Sequence, residues 1–251
     1  MLYAGPHPVN ADPLPRWVVA PSQTMTVDLN LDAGEDPDAP DALFALAHRV
    51  NLACGGHAGD PDSLARACAL AAASGVRVGA HPSYPDRTHF GRLPMPMAPE
   101  VLAQSLRDQC GLLLRAARGL GLPVGHVKLH GALYHAAHDD PGVARVALEA
   151  CRDVLGAVEV LGMPRGCLHE VARALGMPFL REGFADRGYG PGGTLLPRGA
   201  PGAVLDAPAA ARQCRALVAS GQVETVCVHG DGPEALAVAR AVRAVLDEAR
   251  R

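Results

Sequence analysis

The sequence predicts a seven-stranded parallel β/α barrel, and three observations carry that prediction. From residue 24 onward, strand-like segments alternate with helix-like ones seven times, the pattern of a parallel sheet joined by right-handed helical crossovers. Two strands carry a polar face. Asp28, Asn30 and Asp32 alternate with Val27, Leu29 and Leu31 in the first, and His126, Lys128 and His130 alternate with Val127 and Leu129 in the fourth. A doubly wound sheet packs both faces of its central strands on helices, whereas a barrel turns one face of each strand into a common lumen. Finally, the ionisable residues of interest gather at the C-terminal ends of strands or in the loops that follow, where β/α proteins place their sites.

The first strand, residues 24–31 (TMTVDLNL), alternates strictly. An acidic loop over 33–40 leads to a short helix over 41–49 and a second strand over 50–54. Asp60 is suited to cap, and Pro61 to begin, a helix that Gly75 stops. A third strand over 77–80 ends at His81. The proline-rich loop 83–97 carries His89 and Arg92, and a loop that long is usually functional or disordered. A helix over 99–119 precedes the strand in HVKLHGALYH (126–135), and 141–153 gives the next helix. A strand over 157–161, a helix over 166–175 and a strand over 179–182 lead to a glycine-rich stretch in which 194–196 and 203–205 suggest a hairpin. A helix over 208–220, a strand over 225–228 and a helix over 233–250 complete the pattern. Residues 1–23 are proline-rich, contain the sole Trp17, and lack the basic start and apolar run of a signal peptide. They are expected to be a poorly ordered extension to a single barrel domain over 24–251, with Met25 as the natural start.

A formal net charge of −3, with no Lys/Arg run interleaved with aromatics, argues against a nucleic-acid face. No apolar run reaches the roughly 18 residues of a membrane span. The seven cysteines are scattered and lack metal or redox spacing, so they read as free buried thiols of a reducing cytoplasm. The stretch 188–193 matches GxGxxG but contains Pro191 and opens no helix, so it is not a nucleotide cradle.

Lys128 is the only lysine; every other fixed cation is arginine. A position needing only positive charge would carry arginine here, so Lys128 is read as selected for its amine, a compact charge whose pKa can fall on burial. His57 and His81 stand in turns after strands and are read as functional, whereas His7, His48, His89, His138 and His169 are read as ordinary hydrogen-bonded residues. Candidate groups also include Asp60, Arg181, Glu182, Asp186, His229 and Asp231. Two chemistries fit. Carboxylates and histidines can hold a divalent metal that acidifies water, or an Asp base can act while His or Lys polarises a carbonyl.

The segments DLNLDAGE (28–35), NLACGGHAGDP (51–61), GAHPSYPD (79–86), FGR (90–92), HVKLHGALYH, EGFADRGY (182–189) and VHGD (228–231) together resemble the LamB/YcsF family, the A subunit of bacterial ATP-dependent 5-oxoprolinase. Leu31, Ala33, Leu93 and Leu129 depart from the family's usual residues, and Leu93 replaces a second arginine. The resemblance implies a barrel like that of polysaccharide deacetylases, cleavage of 5-oxo-L-proline to L-glutamate with ATP, and partner subunits B and C. In that frame Asp28 or Asp32 is expected to activate water while Lys128 and His130 stabilise the oxyanion. Asn30, Arg92, Asp186, Arg187 and His229 are expected to bind substrate, and His57, His81 and Asp32 to surround any divalent metal. The alternatives are a stand-alone metal-dependent deacetylase or amidohydrolase and a non-catalytic partner that only binds substrate.

Overall fold

The structure is a computed structural model and describes residues 27–250; the N-terminal extension and the first residues of the expected first strand lie outside them. Seven parallel strands close into a barrel in chain order. They are β1 (Asp28–Ala33), β2 (Arg49–Ala53), β3 (Arg77–His81), β4 (Val124–Lys128), β5 (Glu159–Gly162), β6 (Phe179–Phe184) and β7 (Thr225–His229). β7 returns to β1 with Asp32 opposite His229 and Asp28 opposite Thr225, which removes both sheet edges.

Around them lie α1 (Ala42–Leu46), α2 (Pro61–Ser74), α3 (Pro99–Arg118), α4 (Gly131–Asp139), α5 (Pro141–Leu155), α6 (Cys167–Ala174), α7 (Ala207–Ser220) and α8 (Ala235–Glu248). The apolar strand faces, including Leu29, Leu31, Val50, Leu52 and Val127, are fully buried beneath this shell; burial of each such side chain contributes about 1.5–3 kcal/mol. Asp60 caps α2 by accepting from Ser63 N at 2.8 Å while the Ser63 hydroxyl accepts from Asp60 N, and Gly75 ends that helix at φ 64°. Among the described residues no helix is long and apolar enough to cross a membrane.

Three elements differ from the sequence expectation. Arg49 opens β2 instead of ending α1, because it pairs in register with Asn30 and sends its guanidinium into the barrel. α4 follows β4 almost at once; its run ALYHAAH is too short for its periodicity to stand out. His130 is therefore the residue before a helix and not a third member of the strand face. The segments near 195 and 204 do not pair with each other. Leu195 and Val204 bridge back to Tyr189 and Arg187, held by the Arg187 guanidinium, which donates to the Ala203 and Leu196 carbonyls at 3.0 and 2.6 Å.

The lumen is polar and layered. At the N-terminal end, Asp28 accepts from Arg49 at 2.7 Å and from Arg77 at 2.6 Å, and Arg49 also reaches Glu159 at 2.7 Å. In the middle, Asn51 donates to Asn30 at 2.8 Å, Asn30 donates to Thr225 at 2.9 Å, and the His126 ring meets Asn51 at 2.9 Å. His126 lies so close across Gly79 that a Cβ there would stand 2.1 Å from the imidazole. Asp32 and Lys128 form the third layer, at the C-terminal mouth.

Candidate functional site

Lys128, at the last position of β4, has its side chain 2 % exposed at the floor of a cavity of about 440 Å³. Its ammonium lies 2.9 Å from Asp32 Oδ1, 2.9 Å from Glu182 Oε1 and 3.0 Å from Cys227 Sγ. Burial pushes the amine's pKa down, but Asp32, Cys227 and Glu182 outweigh that and hold it well above the usual lysine value. The amine is thus a permanent cation, not the lowered base that burial alone would make. Tyr134 donates to the other Glu182 oxygen at 2.9 Å.

Burial likewise raises the Asp32 carboxyl, yet His81 and Lys128 hold it well below the carboxylate range. It stays ionised and is a weak base. His229 is better placed for proton abstraction. Its Nδ1 donates to Asp186 at 2.9 Å, and its backbone N–H donates to the same oxygen at 2.8 Å. A carboxylate only accepts, so Nδ1 bears a hydrogen, and the ring turns Nε2 towards the cavity, 3.7 Å from Asp32.

The cavity walls carry Arg92, Arg187 and Arg198. Arg92 and Arg198 converge on Asp231 at 2.6 and 3.1 Å and are 38 % and 30 % exposed, so both guanidinium groups are reachable by a solute.

Behind the floor, Glu35 Oε1 gathers His57 Nε2 at 3.0 Å, His130 Nδ1 at 3.2 Å and His81 Nε2 at 3.4 Å. Burial raises Glu35, but bonds from His130, His57 and His81 bring it well below its ordinary value. Burial lowers His81 too, but Asp32 and Glu35 lift it to about 9. His57 falls to about 4 and His130 is also lowered, burial dominating in each. Two groups of described residues have metal-ligating atoms close enough to share an ion: Glu35, His57, His81 and His130, and Asp32, Cys227 and His229.

Residues 27–251 match the LamB/YcsF family. The chain belongs to the LamB/YcsF family. It is 41 % identical over 236 residues to a protein of Methylococcus capsulatus named as the A subunit of 5-oxoprolinase, covering 87 % of this chain and 91 % of that one. It is 42 % identical over 241 residues to the protein of the same name from Nocardia farcinica, covering 88 % and 96 %. Among solved structures it is similar to a lactam utilization protein from Thermus thermophilus, with TM-score 0.82 and 38 % identity over 90 % of this chain and 98 % of that one.

In this LamB/YcsF chain the geometry corrects several sequence-based assignments. Asp28 sits in the layer closed by Arg49 and Arg77, about 13 Å down the strand from Asp32 at roughly 3.3 Å per residue; it is not a catalytic residue of the mouth. Asn30 is fully buried in the middle layer and does not line the cavity, so it does not bind substrate directly. Asp186 holds His229 and does not line the cavity above Lys128. Arg187 lines it, but two backbone carbonyls occupy its fork. His130 turns its ring to Glu35 and His81 instead of standing beside the lysine. In the metal set, Asp32 groups with Cys227 and His229, while His57 and His81 group with Glu35 and His130.

The sequence reading missed Glu35, Tyr134, Arg198 and Cys227 as site residues. Cys227 was recoverable, because Thr225, Cys227 and His229 share the inward phase of β7. Glu35 is turned inward by Gly34 at φ 72°, which the sequence signals only as Gly-Glu after a strand.

Proposed function

We propose that this chain is the A subunit of an ATP-dependent 5-oxoprolinase and performs ring opening of 5-oxo-L-proline to L-glutamate. The observation that carries the reading is the Lys128 ammonium, fixed between Asp32 and Glu182 on the floor of a cavity walled by arginines. The names of the similar proteins supply the substrate.

A lactam is a resonance-stabilised amide, so opening it requires that its carbonyl be polarised or its oxygen be phosphorylated, which is where ATP and the B and C subunits enter. The substrate carboxylate binds Arg92 and Arg198 as charge-assisted hydrogen bonds. That places the ring against the floor, where the positive charge of Lys128 stabilises the oxygen that gains negative charge. His229, oriented by Asp186, takes a proton from the attacking water at Nε2 and returns it to the ring nitrogen as the C–N bond breaks. Asp32 and Glu182 keep Lys128 charged and fixed. The free thiols of the described cysteines, six of them buried, support a cytoplasmic location.

The test is an omission experiment on the reconstituted complex. Glutamate forms from 5-oxoproline and ATP only when this chain and both partner subunits, B and C, are present, and the isolated chain does not deacetylate acetylated sugars. Glutamate formation at full rate without this chain, or sugar deacetylation by the chain alone, overturns the proposal.

A further inference from the structure

We propose that Glu35, His57, His81 and His130 form a four-coordinate site for a divalent transition metal of the zinc class. The four side chains come from the C-terminal ends of four consecutive strands and are at most 6 % exposed. Their donor atoms stand 3.0, 3.2 and 3.4 Å from Glu35 Oε1, and His81 Nε2 is 3.0 Å from His130 Nδ1. A tetrahedral ion with metal–ligand bonds of 2.0–2.1 Å requires ligand–ligand separations of about 3.4 Å. These separations approach that figure, and because the His57 and His130 rings stack 3.6 Å apart and nearly parallel, one of the two turns to aim its nitrogen at the ion.

The hydrogen bonds behind the rings set their polarity. His81 Nδ1 meets the Lys128 carbonyl at 2.8 Å, and His130 Nε2 meets the Phe90 carbonyl at 2.9 Å. A carbonyl only accepts, so each imidazole donates outward and turns its remaining nitrogen inward. Two inward nitrogens 3.0 Å apart, facing one carboxylate, repel unless a cation lies between them. A shared proton or a metal ion meets that demand. Outward donation to a carbonyl is also how metal-binding histidines are usually oriented.

The backbone around the group is shaped to hold it. Phe90 adopts φ 57°, rare for a side-chain-bearing residue, and from there its carbonyl faces His130 while its ring packs edge-on to His57. A Cβ at Gly91 would stand 3.0 Å from His57 and 3.2 Å from His130, so only glycine lets this loop close over the rings. Three imidazoles and one carboxylate suit zinc, copper, nickel or iron better than magnesium or calcium. The rival group, Asp32, Cys227 and His229, contains the Lys128 ammonium within 3.0 Å of two of its members, and that charge repels a metal ion. An ion at the Glu35 site would add fixed positive charge beside His81, whose Nε2 lies 3.5 Å from Asp32.

The test is cobalt titration of the full chain after chelator treatment. One Co²⁺ per chain is expected, with the strong visible absorption of a four-coordinate ion and no thiolate band, and Zn²⁺ is expected to displace it. His57→Gln and Glu35→Gln should each weaken binding by more than about tenfold, a lower bound taken from losses at supporting residues, while Cys227→Ser leaves affinity unchanged. The unmutated protein decides the matter if a variant fails to fold. Absence of stoichiometric binding, which would leave a shared proton as the occupant, a weak six-coordinate spectrum, a thiolate band, or undiminished affinity in folded variants overturns the proposal. Because the readout is metal binding, its failure leaves the lactam reading untouched.

Discussion

Lys128 Nζ, the amine of the chain's only lysine, lies 2.9 Å from Asp32 Oδ1 inside the barrel. With Glu182 equally near on the other side, this lysine balances two buried carboxylates. Lys128→Met would leave Glu182 with only the Tyr134 hydroxyl and Asp32 with His81 as its remaining cation, and breaking a buried pair in this way costs about 3–5 kcal/mol. Urea denaturation monitored by circular dichroism should show a loss of that size; a loss under about 1 kcal/mol, the range of exposed pairs, would mean the amine is not the counterion.

The two aspartates of β1 should separate stability from turnover. Asp28 is closed in by Arg49 and Arg77 at the far end of the barrel, so Asp28→Asn should cost on the order of 3 kcal/mol and leave kcat/KM of the folded complex nearly unchanged. Asp32→Asn should lower kcat by about 10²–10³, the scale of a lost electrostatic stabiliser. Steady-state kinetics and denaturation of both variants check the pair.

At the wall, Arg198→Leu should raise KM for 5-oxoproline by about 10–100-fold, as expected for a lost hydrogen bond to a charged group, with a smaller change in kcat. Arg92→Leu should behave alike, since both reach Asp231 from the same side. An effect confined to kcat would place the substrate carboxylate elsewhere.

His48 accepts from Leu29 N–H at 2.9 Å through Nδ1, and burial, aided by Arg250 and Arg243, lowers it from 6.5 to about 4. The unfolded chain therefore binds the extra proton between pH 6.5 and 4, and stability falls as pH drops through that window. His48→Asn keeps an acceptor but cannot titrate, so its stability should fall less steeply from pH 6.5 to 4. Equal slopes for the two proteins, measured by urea denaturation at each pH, would remove His48 from that role.

The barrel was legible because strict alternation in β1 and around Lys128 demands a polar lumen, and the closed sheet supplies one. Height along the lumen was not legible. Asp28 and Asp32 share one phase of the same strand, and only the strand's true limits, Asp28–Ala33, show that they belong to opposite ends. Loop residues were harder still: Glu35 enters through a left-handed glycine, and Arg198 arrives on an excursion organised by the buried Arg187 fork. Lys128 was conspicuous as a lone amine, but its raised pKa depends on Glu182 and Cys227, brought in from β6 and β7.

The most direct measurement is the kcat for glutamate formation by the complex reconstituted with Lys128→Arg. The guanidinium keeps the charge but cannot occupy the point between Asp32 and Glu182 from which the amine donates, so the account predicts a folded chain with kcat reduced by about 10²–10³. Near-normal turnover by that variant would contradict it.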